Sequence, residues 1–483
     1  MNLNPARAQL ERSTLESYSI PNIDGAAPHL RRVLSLRDLI FYGIVSITPC
    51  APVTVFGLAS SMSRGHASLA ILLAMIAILF TAVSYGRMAA VYPAAGSAYT
   101  YVGRGLNMHL GFLAGWAMLL DYIVIPLFCV MYSALTMRRV VPQVPYWAWA
   151  LIFAAGITTL NLNGVRSTAR ANEILLGAMG VILVTFDILA VRYIVLQYGF
   201  WGLFSLKPFY NPTTFQISAI ASATSFAALT YIGFDAVTTL AEEVENPRRN
   251  VLLSVVIICL FTGIFGGVLI YLAQLVWPAY ETFPNLETAF MDVTRRVGGT
   301  WLFQSVGVLL VLAFLGSALT GQVGASRLLF SFGRDHVLPA KVFGHLSQRG
   351  NSPTYNIALL GLVAFLGSLL MPFELTAEIL NFGAFLGFMG VNLAVIRQFY
   401  GIGQPGERRG FLKDLVAPGL GFVFCLIIWL GLSRVSKLAG STWFIAGFVY
   451  LAFRTKGFRQ RLVISDLLHV PASAVPLSPP EET

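Results

Sequence analysis

The chain has 483 residues, 56% of them apolar and only 11% charged, whereas soluble domains carry roughly a quarter of charged residues; neither a soluble enzyme nor a membrane-anchored one fits. Its formal net charge of +10 is spread over the segments between apolar runs, which excludes the clustered basic face of a nucleic-acid binder. The apolar runs are continuous rather than alternating, so a β-barrel is excluded too, and an all-α polytopic membrane protein remains.

Residues 1–36 are polar, carry both charge signs and lack the apolar centre of a signal peptide, and are read as a cytoplasmic N-terminal tail. About twelve transmembrane helices follow, each near the ~20 residues that a hydrocarbon core needs. Their approximate bounds are 37–63, 67–89, 109–135, 146–162, 172–196, 215–241, 250–276, 300–330, 354–371, 376–398, 415–433 and 439–455. Placing the N-terminus inside leaves roughly 23 Lys and Arg on the cytoplasmic side and roughly 9 outside. Arg31, Arg32 and Arg37, Arg248 and Arg249, Arg408, Arg409 and Lys413, and Arg454 to Arg461 carry that bias, while Arg138, Arg139, Arg295 and Arg296 run against it. Both termini are therefore expected in the cytoplasm, with the spans in a plasma membrane such as the bacterial inner membrane. Residues 462–483, rich in proline, read as a disordered tail.

Two spans are interrupted. The first contains Ile47-Thr48-Pro49-Cys50-Ala51-Pro52, whose prolines each remove an amide donor. The sixth contains Thr230-Tyr231-Ile232-Gly233-Phe234-Asp235, where a glycine loosens the helix and an acid follows. A charge at the bilayer centre costs about 3 kcal/mol even on lenient scales, so such a residue marks a cavity or a pathway. Breaks five spans apart suggest two five-helix repeats of opposite topology, about 37–196 and 215–398, forming a transport core over 37–398. The last two spans, within 399–461, are then accessory helices.

Asp121 lies near the middle of span three, and Asp187, in span five, is placed to pair with Arg192. The middle of the spans holds these acids and Asp235 but no lysine or arginine, so protons or a cationic ligand must neutralise them. Asp235 also suits the N-terminus of a half-helix, where free amides favour an anion. Tyr231, Phe234, Trp116, Phe382 and Phe385 either cover an ammonium by cation–π contact or simply pack.

Other signals carry less. Cys50, Cys129, Cys259 and Cys425 all fall in apolar spans and read as small buried hydrophobes. No cysteine or histidine spacing suggests a metal, a cofactor or a catalytic constellation, so no enzyme is expected. Gly401 to Gly406 spells a dinucleotide fingerprint but follows a span and reads as a turn, and Gly111 and Gly115 read as close helix packing. Glu242, Glu243 and Glu245 are expected to pair with arginines such as Arg248 and Arg334 as an inner gate.

Several segments resemble the amino acid–polyamine–organocation (APC) transporter superfamily. They are Tyr92-Pro93-Ala94-Ala95-Gly96-Ser97-Ala98-Tyr99-Thr100-Tyr101, Glu242-Glu243-Val244-Glu245-Asn246-Pro247-Arg248-Arg249-Asn250, Ser326-Arg327-Leu328-Leu329-Phe330 with Gly333-Arg334-Asp335, and Gly233-Phe234-Asp235. Gly115-Trp116 with Leu119-Leu120-Asp121-Tyr122, the run Gly233 to Leu240, and Asn381-Phe382-Gly383-Ala384-Phe385 are most similar to the bacterial putrescine importers.

The resemblance implies a 5+5 inverted-repeat (LeuT-like) fold with broken helices 1 and 6, alternating access, and a substrate held between helices one, three, six, eight and ten. It implies substrate-binding roles for Asp121, Asp235, Tyr231, Gly233, Phe234, Thr48, Trp116 and Phe382, and gate or proton-coupling roles for Asp121, Asp235, Glu242 and Glu243. Amino acid carriers of this family bind the substrate carboxylate on a glycine-rich first break. The proline-bearing break here lacks two amides, which favours an amine such as putrescine over an amino acid. Met179 stands near the place where some proton-coupled members carry a lysine. The expected function is therefore import of a putrescine-like diamine across the plasma membrane, coupled to protons. The alternative is an amino acid permease or exchanger of the same superfamily.

Overall fold

A computed structural model describes residues 34–93, 97–163, 169–334, 338–347, 352–402 and 410–459. The helices are α1 (Leu36–Ile47), α2 (Ala51–Met62), α3 (Ala67–Val91), α4 (Ser97–Gly105), α5 (Met108–Val140), α6 (Tyr146–Leu162), α7 (Ala169–Tyr198), α8 (Ile217–Ala227), α9 (Pro247–Val276), α10 (Ala289–Arg334), α11 (Ala340–Phe343), α12 (Thr354–Leu370), α13 (Phe373–Val395), α14 (Ala417–Gly431) and α15 (Arg434–Arg454). Among the described residues the only extended pairing is one isolated bridge, Leu34 to Val244, so the all-α expectation holds. Among the described residues nine helices are long and apolar enough to cross a membrane, ten if α1 and α2 count as one bent span. Two further apolar helices, α6 and α12, are shorter. Each expected span coincides with one of these elements.

The structure is consistent with both interruptions, and backbone chemistry accounts for each. α1 ends because Pro49 has no amide to donate and disfavours helical dihedrals in the residue before it; Thr48 takes φ 66°. The chain restarts with Pro52 in the first turn of α2, where the missing donor is harmless, and the two halves meet at 45°. In the sixth span α8 tightens into a 3-10 turn, Ala228–Tyr231. The chain turns at Gly233 with φ 106° and continues as a second 3-10 segment, Phe234–Glu243. Ten residues is long for this geometry. Thr238 and Thr239 brace it, their hydroxyls donating to the carbonyls of Asp235 (2.7 Å) and Ala236 (2.6 Å). The two breaks touch: a Cβ on Gly233 would lie 3.0 Å from the Ser46 carbonyl oxygen.

Sequence patterning missed two features. The segment after α3, expected as a loop, contains the helix α4, and its first residues, 94–96, lie outside the described part. The eighth span is preceded by a helical turn-in from Ala289, joined to it at Gly299 with φ 65°. The expected tails before residue 34 and after 459, the 403–409 turn and Asp335 also lie outside the described residues.

The helices differ in how enclosed they are. In α5 and in the span that begins with α13, 78% of the apolar window is buried inside the protein, against 22% in α7 and in α15. α5 and α13 are therefore the central helices, and α7 and α15 face outward. The outer helices are nevertheless tied in. Ser436 Oγ and the Ser433 amide, at the start of α15, both donate to the Glu378 carboxylate of α13. Glu378 is a buried acid of a span that the balance of mid-span charges had passed over; its partners are hydrogen-bond donors, not a cation.

Candidate binding site

α5 carries Asp121 to the centre. The carboxylate is 2% exposed, and its Oδ1 has no hydrogen-bond partner. α13 lies close against this turn, because Gly383 has no side chain: a Cβ there would be 3.3 Å from the Asp121 amide. Asp235 approaches from the broken sixth span. It is 3% exposed and sits in the first turn of the 3-10 segment, where unpaired amides and the helix dipole favour negative charge. The two acids interact electrostatically across the interior. Neither forms an ion pair with a described residue. Two like charges in a low-dielectric interior are tolerated only with protons or a cation between them.

The first break adds Thr48. Its hydroxyl is 2.6 Å from that of Ser317 on α10, which ties the break to the eighth span. Gly233 forms the turn that brings the two breaks together, and Phe234 beside it stands edge-on to Tyr85 at 5.3 Å. The structure therefore gathers Thr48, Gly233, Phe234 and Asp235 about the two breaks, with Asp121 on α5 within electrostatic range of Asp235.

The side chains of the other expected residues point elsewhere. Tyr231 is fully buried, and its hydroxyl donates to the Ile71 carbonyl of α3 at 2.9 Å. Trp116 stacks on Trp443 of α15 at 4.8 Å, each indole donating to the other residue's carbonyl at 2.9 Å. Phe382 also turns outward, packing on Trp429 at 5.2 Å and on α15 at Gly440, where no Cβ would fit. Trp116 and Phe382 thus fasten α15 to the central helices.

The expected ionic contacts also need correction. Asp187 does not pair with Arg192, and its Oδ1 has no partner. Residues five apart on a helix point away from each other, unlike those three or four apart. Glu243 and Glu245 form no ion pair with a described residue, and the Glu242 side chain lies outside the described part. At the far ends of the spans, Arg87 pairs with Asp414 at 2.5 Å and Arg139 with Asp292. Met179 lines a small apolar cavity together with Cys50, beside the first break. All four cysteines are free and buried, and no group able to hold a metal ion occurs among the described residues.

Sequence reasoning missed the tyrosines. Tyr85, Tyr101 and Tyr122 all interact electrostatically with Asp235, as does the more exposed Tyr42. Only Tyr101 and Tyr122 lay in motifs already singled out, and there they looked no different from packing residues.

The amino acid permease family matches residues 44–433. The chain is 32% identical over 438 residues to the low-affinity putrescine importer PlaP of Escherichia coli (strain K12), a match covering 89% of this chain and 95% of that protein. It is 28% identical over 455 residues to the branched-chain amino acid permease BcaP of Lactococcus lactis subsp. cremoris, covering 89% and 96%. With the vacuolar cationic amino acid transporter 4 of Arabidopsis thaliana it shares 26% over 411 residues, covering 80% and 66%.

Proposed function

The chain belongs to the amino acid permease family of the APC superfamily and is a membrane transporter rather than an enzyme; from that premise we propose that its substrate is a small diamine of the putrescine type, imported across the plasma membrane in symport with protons. The observation that carries this reading is the pair of buried acids, Asp121 and Asp235, which interact with each other and have no basic partner. A diamine brings one ammonium for each. At about 4 Å and an effective dielectric of ~20, each such contact is worth about 4 kcal/mol before desolvation.

The proposed mechanism uses the two breaks as hinges. With both half-helices closed on the site, the substrate's ammonium groups neutralise the acids. When one set of half-helices swings away, the diamine leaves and protons take its place, so the empty carrier does not return with two bare charges in its core. In this reading the core over 37–398 consists of two inverted repeats and both termini are cytoplasmic. The similarity to PlaP supports a diamine; that to BcaP keeps an amino acid permease as the rival.

Uptake into proteoliposomes separates them, comparing labelled putrescine, spermidine, arginine and a neutral amino acid. The expected result is putrescine entry driven by an imposed proton gradient. Asp121→Asn and Asp235→Asn should each reduce putrescine affinity by at least about 30-fold, since losing one side of a desolvated charge pair costs about 2–5 kcal/mol, while the protein stays monodisperse in detergent. Entry of the neutral amino acid without entry of, or competition by, putrescine would sink the diamine reading. Full putrescine uptake in both variants would remove the acids from the site.

A further inference from the structure

A cluster of hydroxyl groups lies beside Asp235, on the side of α3 and α4. Thr238 Oγ1 is 3.1 Å from Ser97 Oγ at the start of α4. Tyr101, also on α4, lies beside Thr238 and interacts electrostatically with Asp235. Tyr85 of α3 meets the Tyr101 ring edge-on at 5.9 Å and that of Phe234 at 5.3 Å. Both tyrosines are fully buried; the Tyr85 hydroxyl has no hydrogen-bond partner among the described residues, and that of Tyr101 has only Thr238 beside it.

That combination needs an explanation. A buried hydroxyl without a partner destabilises the folded chain, and a phenylalanine would fill the same space without the loss. Phenylalanines do fill the neighbouring positions, Phe234, Phe385 and Phe388. The two phenols pack around the 234–238 turn that carries Asp235, a carboxylate with no ion-pair partner among the described residues. A primary ammonium offers three N–H donors; one carboxylate and two phenol oxygens supply three acceptors, and the surrounding ring faces favour positive charge.

We propose that Tyr85 and Tyr101, with Asp235, form a second ammonium subsite, which holds one end of a diamine while Asp121 holds the other. The two tyrosines then determine the preference for two-ended amines over one-ended ones. This inference rests on the diamine reading and adds residues to it that lie on α3 and α4, away from the two breaks themselves. An ordered water is the competing occupant of the same acceptors.

Tyr85→Phe and Tyr101→Phe test it, because each keeps the ring contacts and removes only the hydroxyl. In proteoliposomes, KM for labelled putrescine should rise about tenfold in each variant, while inhibition by n-butylamine, which has a single amine, stays within about twofold of the wild type. Melting temperature in detergent is followed in parallel. A putrescine KM within twofold in both variants overturns the subsite, and a lowered melting temperature alongside it identifies a water. Equal losses for putrescine and n-butylamine overturn it as well, since that is the mark of a structural role. A wild-type protein that takes up no amine removes the diamine reading and the subsite together; wild-type putrescine uptake with unchanged variants removes the subsite alone.

Discussion

Replacing Gly233 by alanine tests the contact between the two breaks. Gly233 holds φ 106°, ψ −9°, a conformation that costs a residue with a side chain about 1–3 kcal/mol. The added Cβ would sit 3.0 Å from the Ser46 carbonyl oxygen and 3.3 Å from its carbon. Both neighbours are backbone atoms, which cannot rotate aside, so the half-helices must separate slightly, and overpacking of this kind costs about 1–3 kcal/mol. Together about 2–6 kcal/mol acts against the closed arrangement, which lowers its population by ~30- to ~20,000-fold at 1.4 kcal/mol per decade. The measurement is the initial rate of putrescine uptake in proteoliposomes, with thermal melting in detergent to follow folding. Gly156→Ala is the control: nothing lies within 4 Å of the position a Cβ would take there, and alanine should favour the helix by about 0.5–1 kcal/mol. Wild-type rates and melting in Gly233→Ala would show that neither the backbone conformation nor the approach of the breaks matters to transport.

Two further outcomes follow from contacts around α15. Trp116→Phe removes the indole donor to the Trp443 carbonyl but keeps a ring for stacking; loss of one buried hydrogen bond should destabilise the protein by about 1–3 kcal/mol and leave putrescine KM unchanged. A several-fold rise in KM without a change in melting would put Trp116 at the substrate after all. Glu378→Ala strips the start of α15 of its acceptor, leaving the Ser433 amide and the Ser436 hydroxyl unpaired, and should lower the melting temperature more than Glu378→Gln does. Equal melting of the two variants would show that the clasp contributes nothing.

What was legible in the sequence was what depends on local backbone chemistry. Pro49 and Pro52 cannot continue a helix, and Gly233 reaches a dihedral that other residues avoid, so both breaks stood out before any tertiary contact was known. Asp121 and Asp235 stood out for a related reason, since an acid in an apolar run is costly wherever it lies. The direction in which a large side chain points was not legible. Trp116 lies five residues before Asp121 on the same helix, and that spacing turns it toward α15 instead of the centre. Phe382 sits next to Gly383, which faces α5 near Asp121, while its own ring faces Trp429. Tyr85 and Tyr101 were hidden by the opposite problem: a tyrosine in a span is ordinary packing until the surroundings of its hydroxyl are known. Glu378 escaped notice because its partners come from α15, far away in sequence.

Cys50 gives the first break a chemical clock. It is the residue just before α2, and its thiol is sealed, along with the chain's three others, from any aqueous reagent. A thiol reacts as its thiolate, which forms in water and not in an apolar wall. Alkylation of Cys50 by a small maleimide is therefore gated by how often the two half-helices part. Its rate, followed by mass spectrometry with Cys129, Cys259 and Cys425 as internal references, times the opening of the carrier in the unmodified protein.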